Sequence, residues 1–469
     1  MEHGNPPHVV VLGSPGMGHF IPIVVFAGGL SRDLALSVTL IAHTGDPPSA
    51  AEQSLLRSLP DAVDLVLFPQ LPAEDFTAGT KIEDRVFRTV MSSLPRLRSL
   101  LGNLAPFAAL VVDPFCLDAI PVAAELGVAS YVFFTSSCMS LSLAFHLHQL
   151  DASFQGEFRD LPEPVRLPGC VSVHGKDLME PIQDRGNPVY ATFLRIAERF
   201  LEAEGVLVNS FEALEPGAIK ALREGSSHPP VYPVGPLIRA GSSDSGEGHE
   251  CLRWLDEQPV GSVVYVSFGS GGALTRAQLY ELAMGLEASR QRFLWVANRP
   301  HEHDASATFF GAESDDDDPG SFLPEGFLER TKALGLVVPR WAPQVAVLGH
   351  AATGGFVTHC GWNSTLEGLV HGVPLIAWPL YAEQKMNAVL LAEDAKVALR
   401  VEADEDGLAR REEIARAIGC LMEGEEGKRL QRRARELRDA AARAMEEGGS
   451  SCMAMLDVAE KWKRQRNTQ

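Results

Sequence analysis

Short apolar runs rich in β-branched residues alternate with longer stretches of helical periodicity along most of this chain, and no other feature constrains its fold as much. In the first half the runs are Val9–Leu12, Val38–Ala42, Leu65–Phe68, Ala109–Val112, Tyr131–Phe134 and Val206–Val208. In the second they are Val263–Phe268, Phe293–Val296, Leu336–Pro339, Gly355–Thr358 and Leu375–Trp378, with helical patterns such as Ile23–Leu34 in between. Strands that stay apolar at consecutive positions and are separated by helices belong to parallel sheets covered on both faces. The pattern therefore predicts an α/β chain with two doubly wound domains.

Two domains also suit 469 residues, which is more than one hydrophobic core usually organises. Periodicity lapses at Pro236–His249, where Gly, Ser and charge replace apolar residues, so the linker is expected there. The expected division is 1–240 and 241–451, with the helical pattern Met453–Arg464, in segment 452–469, rejoining the first domain. A formal charge of −20 argues against nucleic acid or an anionic membrane as partner. Seven cysteines without regular spacing suit a reducing compartment. The start, MEHGNPP, has no basic n-region and runs straight into an apolar strand, and no apolar stretch is long enough to span a bilayer; a cytoplasmic monomer is expected. The acidic run Asp315–Asp318, inside the irregular stretch His301–Gly320, invites a metal reading but has no adjoining strand, and it reads as a solvated loop.

Chemistry concentrates in Trp341–Gln384. Trp341 offers a π face on which a nucleobase can stack. The segment Thr358–Thr365 follows a strand-like run and precedes a helical pattern, so its backbone N–H groups can meet a diphosphate. Glu367 lies one helical turn beyond Asn363 and suits a pair of ribose hydroxyls, while Glu383 and Gln384 can accept from and donate to sugar hydroxyls. Each of these residues is equally compatible with an ordinary strand, turn and helix.

Through Trp341, Gln344, His359, Gly361, Trp362, Asn363, Ser364, Glu367 and Gln384, the segment resembles the signature box of plant UDP-dependent glycosyltransferases. SPGMGHFIP (Ser14–Pro22), LPGC (Leu167–Cys170), EAEGVLVNSFEALEP (Glu202–Pro216) and PLYAEQKMN (Pro379–Asn387) are most similar to the hydroquinone glucosyltransferase (arbutin synthase) branch. The resemblance implies two Rossmann-like domains facing across a cleft, the GT-B type, with an N-terminal acceptor domain and a C-terminal UDP-sugar domain. It implies UDP-glucose as co-substrate, a small aromatic acceptor, inversion at the anomeric carbon, and no cofactor or metal.

Sugar transfer to a hydroxyl needs a base. His19 follows the first strand, at the carboxyl end of a parallel sheet where such folds place ligands. A lone histidine there is often structural; the resemblance implies the catalytic base. A carboxylate must hold its other nitrogen. Asp113, ending the strand ALVVD, is preferred over Asp118, which belongs on the following helix. For the donor, the resemblance implies uracil on Trp341 with the Ala342 backbone at its edge and Gln344 near the ribose. His359, Asn363, Ser364, Ser270 and Ser14 would meet the diphosphate; Trp362, Glu383, Gln384 and Thr135 would hold the hexose, and Gly361 belongs to the donor site as a whole. Glu83, Phe115, Phe145 and Leu178 are expected to line the acceptor pocket, each with an alternative as core. Nitrogen or carbon acceptors, a catalytically silent nucleotide-sugar binder, and an epimerase or hydrolase on the same fold are the rival expectations.

Overall fold

The computed structural model describes residues 6–77, 79–239, 249–306 and 318–466. It separates into two compact units, one of Met1–Arg239 with Arg443–Gln469 and one of Ala240–Ala442.

The first unit is built on a seven-stranded sheet of β1 (His8–Gly13), β2 (Ser37–Thr44), β3 (Val63–Pro69), β4 (Ala109–Val112), β5 (Ser130–Phe134), β6 (Gly205–Val208) and β7 (Val231–Pro233). Its order is β3-β2-β1-β4-β5-β6-β7, parallel throughout. Both faces are covered, which is why the strands read as unbroken apolar runs. Val10, Leu12, Leu110 and Val112 enter one core cluster, and the alternate residues Val9, Val11, Ala109 and Val111 enter the other. The final helix, Ser450–Arg466, packs into this second cluster through Ala454, Val458, Ala459 and Trp462. The Trp462 ring meets Tyr131 edge-on at 5.5 Å.

The second unit carries β8 (Val263–Ser267), β9 (Arg292–Ala297), β10 (Gly335–Pro339), β11 (Thr353–Thr358), β12 (Leu375–Ala377) and β13 (Ala398–Arg400), ordered β10-β9-β8-β11-β12-β13 and again parallel. Each sheet therefore has one switch point, between β1 and β4 in the first and between β8 and β11 in the second. Ligands of open parallel sheets bind beyond the carboxyl ends at such points.

Three local expectations change. The first helix starts at Met17, not Ile23, because Pro22 near its beginning removes only one backbone bond. The edge strands β7 and β13 were not anticipated; at three residues each they are too short to show a period. The expected linker begins later than Pro236, since Asn209 clamps Leu237, accepting from its N–H at 2.7 Å and donating to its carbonyl at 3.1 Å. Residues 240–248 of that linker, Asp315–Asp317 of the acidic run and the end of segment 452–469 lie outside the described residues. Among the described residues no helix is long and apolar enough to cross a membrane.

Candidate functional site

At the switch point of the first unit, β1 leads through Ser14–Gly16 into the helix Met17–Leu34, whose first turn carries His19. β4 ends beside it and delivers Asp113. The His19 Nδ1 lies 2.7 Å from Asp113 Oδ2. Asp113 is wholly buried, and its Oδ1 accepts from the Phe115 N–H at 2.9 Å, so the carboxylate is fixed at both oxygens. The imidazole keeps 26% of its side-chain surface exposed. Asp118 points elsewhere and pairs with Arg195 and Arg199. Thr135, one residue past β5, places its hydroxyl 3.1 Å from the same His19 Nδ1.

Phe115 meets the His19 ring edge-on at 4.8 Å, Phe87 meets Phe115 at 4.9 Å, and Phe193 meets Phe87 at 6.0 Å. This aromatic row beside the histidine was only partly anticipated. Phe87 lies four residues after Glu83 on the helix Ile82–Leu104, so both share a face, and Phe193 comes from the helix Tyr190–Phe200. The i, i+4 relation to Glu83 was the available signal for Phe87; nothing local pointed to Phe193.

The other two expected acceptor residues, Phe145 and Leu178, pack within the first unit. Phe145 lies two turns down the helix Cys138–Ser153, stacked on His228 at 4.4 Å and edge-on to Phe200 at 5.9 Å. Those partners precede β7 and β6 in the chain, and Phe200 also meets Phe134, the last residue of β5, edge-on at 5.8 Å. Leu178 is fully buried.

The second switch point gathers most of the residues expected around a nucleotide. β11 ends at Thr358 and the helix Trp362–Val370 follows, its first N–H groups and dipole directed at the space beyond the sheet. His359 is 8% exposed, and the ring is flanked by two glycines. A Cβ on Gly361 would fall 2.4 Å from its Nε2 and one on Gly269, at φ 74°, 2.6 Å from its Cε1. Burial pushes the His359 imidazole down to about 4, so the ring is neutral at pH 7. Its Nδ1 has no hydrogen-bond partner, which favours the tautomer carrying its proton on Nε2. Asn298, unforeseen in the sequence, secures the loop Ser267–Gly272 by donating to the Gly272 carbonyl at 2.9 Å. Ser270 in that loop is exposed, whereas Ser14 in the first unit is fully buried with its hydroxyl unpartnered.

Trp341 is 58% exposed, an unusual position for a large ring, and among the described residues its ring lies edge-to-face with His249 at 5.6 Å. Ala342 beside it is buried. Gln344 is more committed than the sequence indicated. Its amide donates to Ser364 Oγ at 2.9 Å and to Glu367 Oε2 at 2.7 Å, and its carbonyl accepts from Tyr265 at 3.3 Å. It therefore holds two of the residues expected at the nucleotide. Gln384 is similarly constrained, because its carbonyl accepts from the Leu380 and Tyr381 N–H groups at 2.9 and 3.0 Å. Only its amide nitrogen can address a sugar. Glu383 lies 3.4 Å from Asn387, which in turn donates to the Cys360 carbonyl at 3.0 Å, and Trp362 and Asn363 open the helix beside them.

Two outcomes follow from His359. Gly361→Ala would press a methyl against its ring, and binding of the UDP expected from the sequence should weaken about ten-fold, measured by calorimetry. An unfolded histidine takes up a proton as pH falls through about 6.5, but this buried ring resists until about 4. Its contribution to stability is thus full above pH 6.5 and is lost as pH falls toward 4, by about 3 kcal/mol in all. Urea unfolding at pH 7 and pH 5 should show a smaller stability loss for His359→Asn than for the wild type.

A family model, UDP-glucoronosyl and UDP-glucosyl transferase, matches residues 242–429. A hydroquinone glucosyltransferase from Rauvolfia serpentina is 52% identical over 466 residues, 98% of each chain. Among solved structures, UGT2 of Phytolacca americana with UDP-2-fluoro-glucose and pterostilbene matches at 48% identity and a TM-score of 0.88, covering 97% of this chain and 100% of that one. A Polygonum tinctorium UDP-glucosyltransferase capable of glucosylating indoxyl, in complex with 3,4-dichloroaniline, matches at 49% identity and a TM-score of 0.90, covering 98% and 99%.

Proposed function

The chain belongs to the UDP-glucoronosyl and UDP-glucosyl transferase family, and from that premise we propose that it moves glucose from UDP-glucose to the hydroxyl of a small phenol, with inversion. His19 is the base and Asp113 its orienting carboxylate. The observation that carries this reading is the 2.7 Å bond between His19 Nδ1 and a buried, doubly held Asp113, beside an imidazole that is still partly exposed. A proton kept on Nδ1 leaves Nε2 as the basic nitrogen, and the carboxylate stabilises the imidazolium that forms.

In the proposed step the acceptor O–H gives its proton to His19 while its oxygen bonds to the anomeric carbon. The bond from that carbon to the β-phosphate oxygen breaks, and UDP departs with the electron pair. Trp341 stacks the uracil and the Ala342 backbone reads its edge. Glu367 takes the ribose, held by Gln344. Neutral His359, Asn363, Ser364 and Ser270 donate to the diphosphate as its charge grows, as pre-aimed dipoles do. Glu383, the Gln384 amide, Trp362 and Thr135 address the hexose. Glu83, Phe115, Phe87 and Phe193 receive the aromatic acceptor. The hydroquinone named for the Rauvolfia relative supports a phenol, and the dichloroaniline bound to the Polygonum relative favours an amine as second acceptor class.

We further propose a cytoplasmic monomer that requires no metal; seven free cysteines suit a reducing compartment. Incubation of UDP-glucose with phenols and anilines should release UDP and yield glucosides whose anomeric protons show the β-coupling. EDTA should leave the rate unchanged. A retained α-configuration, or UDP-glucose consumed without a glucoside, would overturn the reading.

A further inference from the structure

The His19 Nδ1 has two oxygen neighbours, Asp113 Oδ2 at 2.7 Å and Thr135 Oγ1 at 3.1 Å. We propose that Thr135 is a positioning residue for the base, its hydroxyl oxygen sharing the Nδ1 proton with Asp113 and so fixing both the tautomer and the plane of the imidazole. This rests on the reading of His19 as base, and deepens it.

The proton count leaves one arrangement. Ionised Asp113 can only accept, so the nitrogen facing it carries a hydrogen. A protonated Nδ1 has no lone pair in the ring plane, and the Thr135 hydroxyl therefore cannot donate to it. Its oxygen must be the second acceptor of a three-centre bond, with its own proton directed away from His19. No other hydrogen bond to that hydroxyl occurs among the described residues. Thr135 is 5% exposed, and Asp113 is fully buried with its second oxygen tied to the Phe115 N–H, so neither acceptor can follow a rotating ring. One acceptor fixes a distance; two on different strand ends, β4 and β5, fix an orientation. Phe115, edge-on to the imidazole at 4.8 Å, limits tilting on another side.

Thr135→Val keeps the shape and removes the oxygen. The expected kcat for glucoside formation falls about ten-fold, because a hydrogen bond to a group that becomes charged is lost from the transition state. The KM for the phenol should change by less than about two-fold. Since the imidazolium loses an acceptor, the acidic limb of the kcat/KM profile should move to lower pH by about half a unit. Thr135→Ser should restore both. Should Val pack badly and lower the Tm, Thr135→Ala, which adds no atom, carries the same test. An unshifted acidic limb in Val and Ala, whether or not kcat falls, would overturn the proposal, as would failure of Ser to rescue. His19→Ala run alongside separates the two levels: if it retains activity the base assignment fails, whereas if it is inactive and the limb stays in place only the role of Thr135 fails.

Discussion

His19→Ala should abolish glucosyl transfer while leaving UDP binding within about three-fold of the wild type. General-base catalysis of this kind contributes about 10²–10⁴ in rate. The loss here belongs at the upper end, because the same side chain also orders the surroundings of Asp113 and Thr135 through its Nδ1. UDP affinity is spared because the residues assigned to the nucleotide belong to the second unit, around Trp341, His359 and Glu367. Asp113→Asn keeps the size of the buried side chain but presents an amide to Nδ1, which permits the wrong tautomer. A rate loss of roughly 10²-fold or more is expected from it. Single-turnover kinetics with calorimetry of UDP binding would check both variants. Survival of transfer in His19→Ala, or a parallel collapse of UDP binding, would remove His19 from its role.

Glu215→Ala should be the most damaging change away from the site. Glu215 is fully buried, yet its carboxylate is saturated by donors: Oε2 accepts from the Cys138 N–H at 2.9 Å and from Ser210 Oγ at 2.5 Å, and Oε1 from the Met139 N–H at 2.9 Å. These amides open the helix Cys138–Ser153, and Ser137 Oγ takes the next one, from Ser140, at 3.2 Å. A negative charge at this end also meets the positive end of the helix dipole. Alanine would leave two buried amides and a hydroxyl unpaired, costing about 3–5 kcal/mol. A Tm lowered by about 10 °C is expected from calorimetry, with Glu215→Gln, which keeps one acceptor oxygen, falling in between. A change of less than about 1 °C for alanine would show that the cap is dispensable.

Glu215 also illustrates what a linear reading misses. It lies within a segment whose likeness to relatives was legible, but the two amides it caps are 76 and 77 positions away. Strands were legible because parallel strands buried on both faces must be apolar at every position, a local requirement. The edge strands β7 and β13 escaped because three residues cannot display a period. His359 and Glu367 were legible together because one strand, turn and helix carry them, and Trp341 because it stands in the same short signature segment, after the preceding strand. Phe87 and Phe193 were not, since each looks like any helix residue until folding brings its ring to Phe115.

From short windows of the sequence came the class of fold and the two-sheet plan, while the expected donor residues and the pairing of His19 with Asp113 came from motifs that resemble a family. The tertiary structure alone decided which atoms are free to act. Gln344 spends its amide on Ser364 and Glu367, Gln384 spends its carbonyl on the backbone, Phe145 turns to His228, and Thr135 turns to His19. Hydrogen-bond capacity is finite for each side chain, and how it is spent depends on neighbours that the chain brings together only on folding.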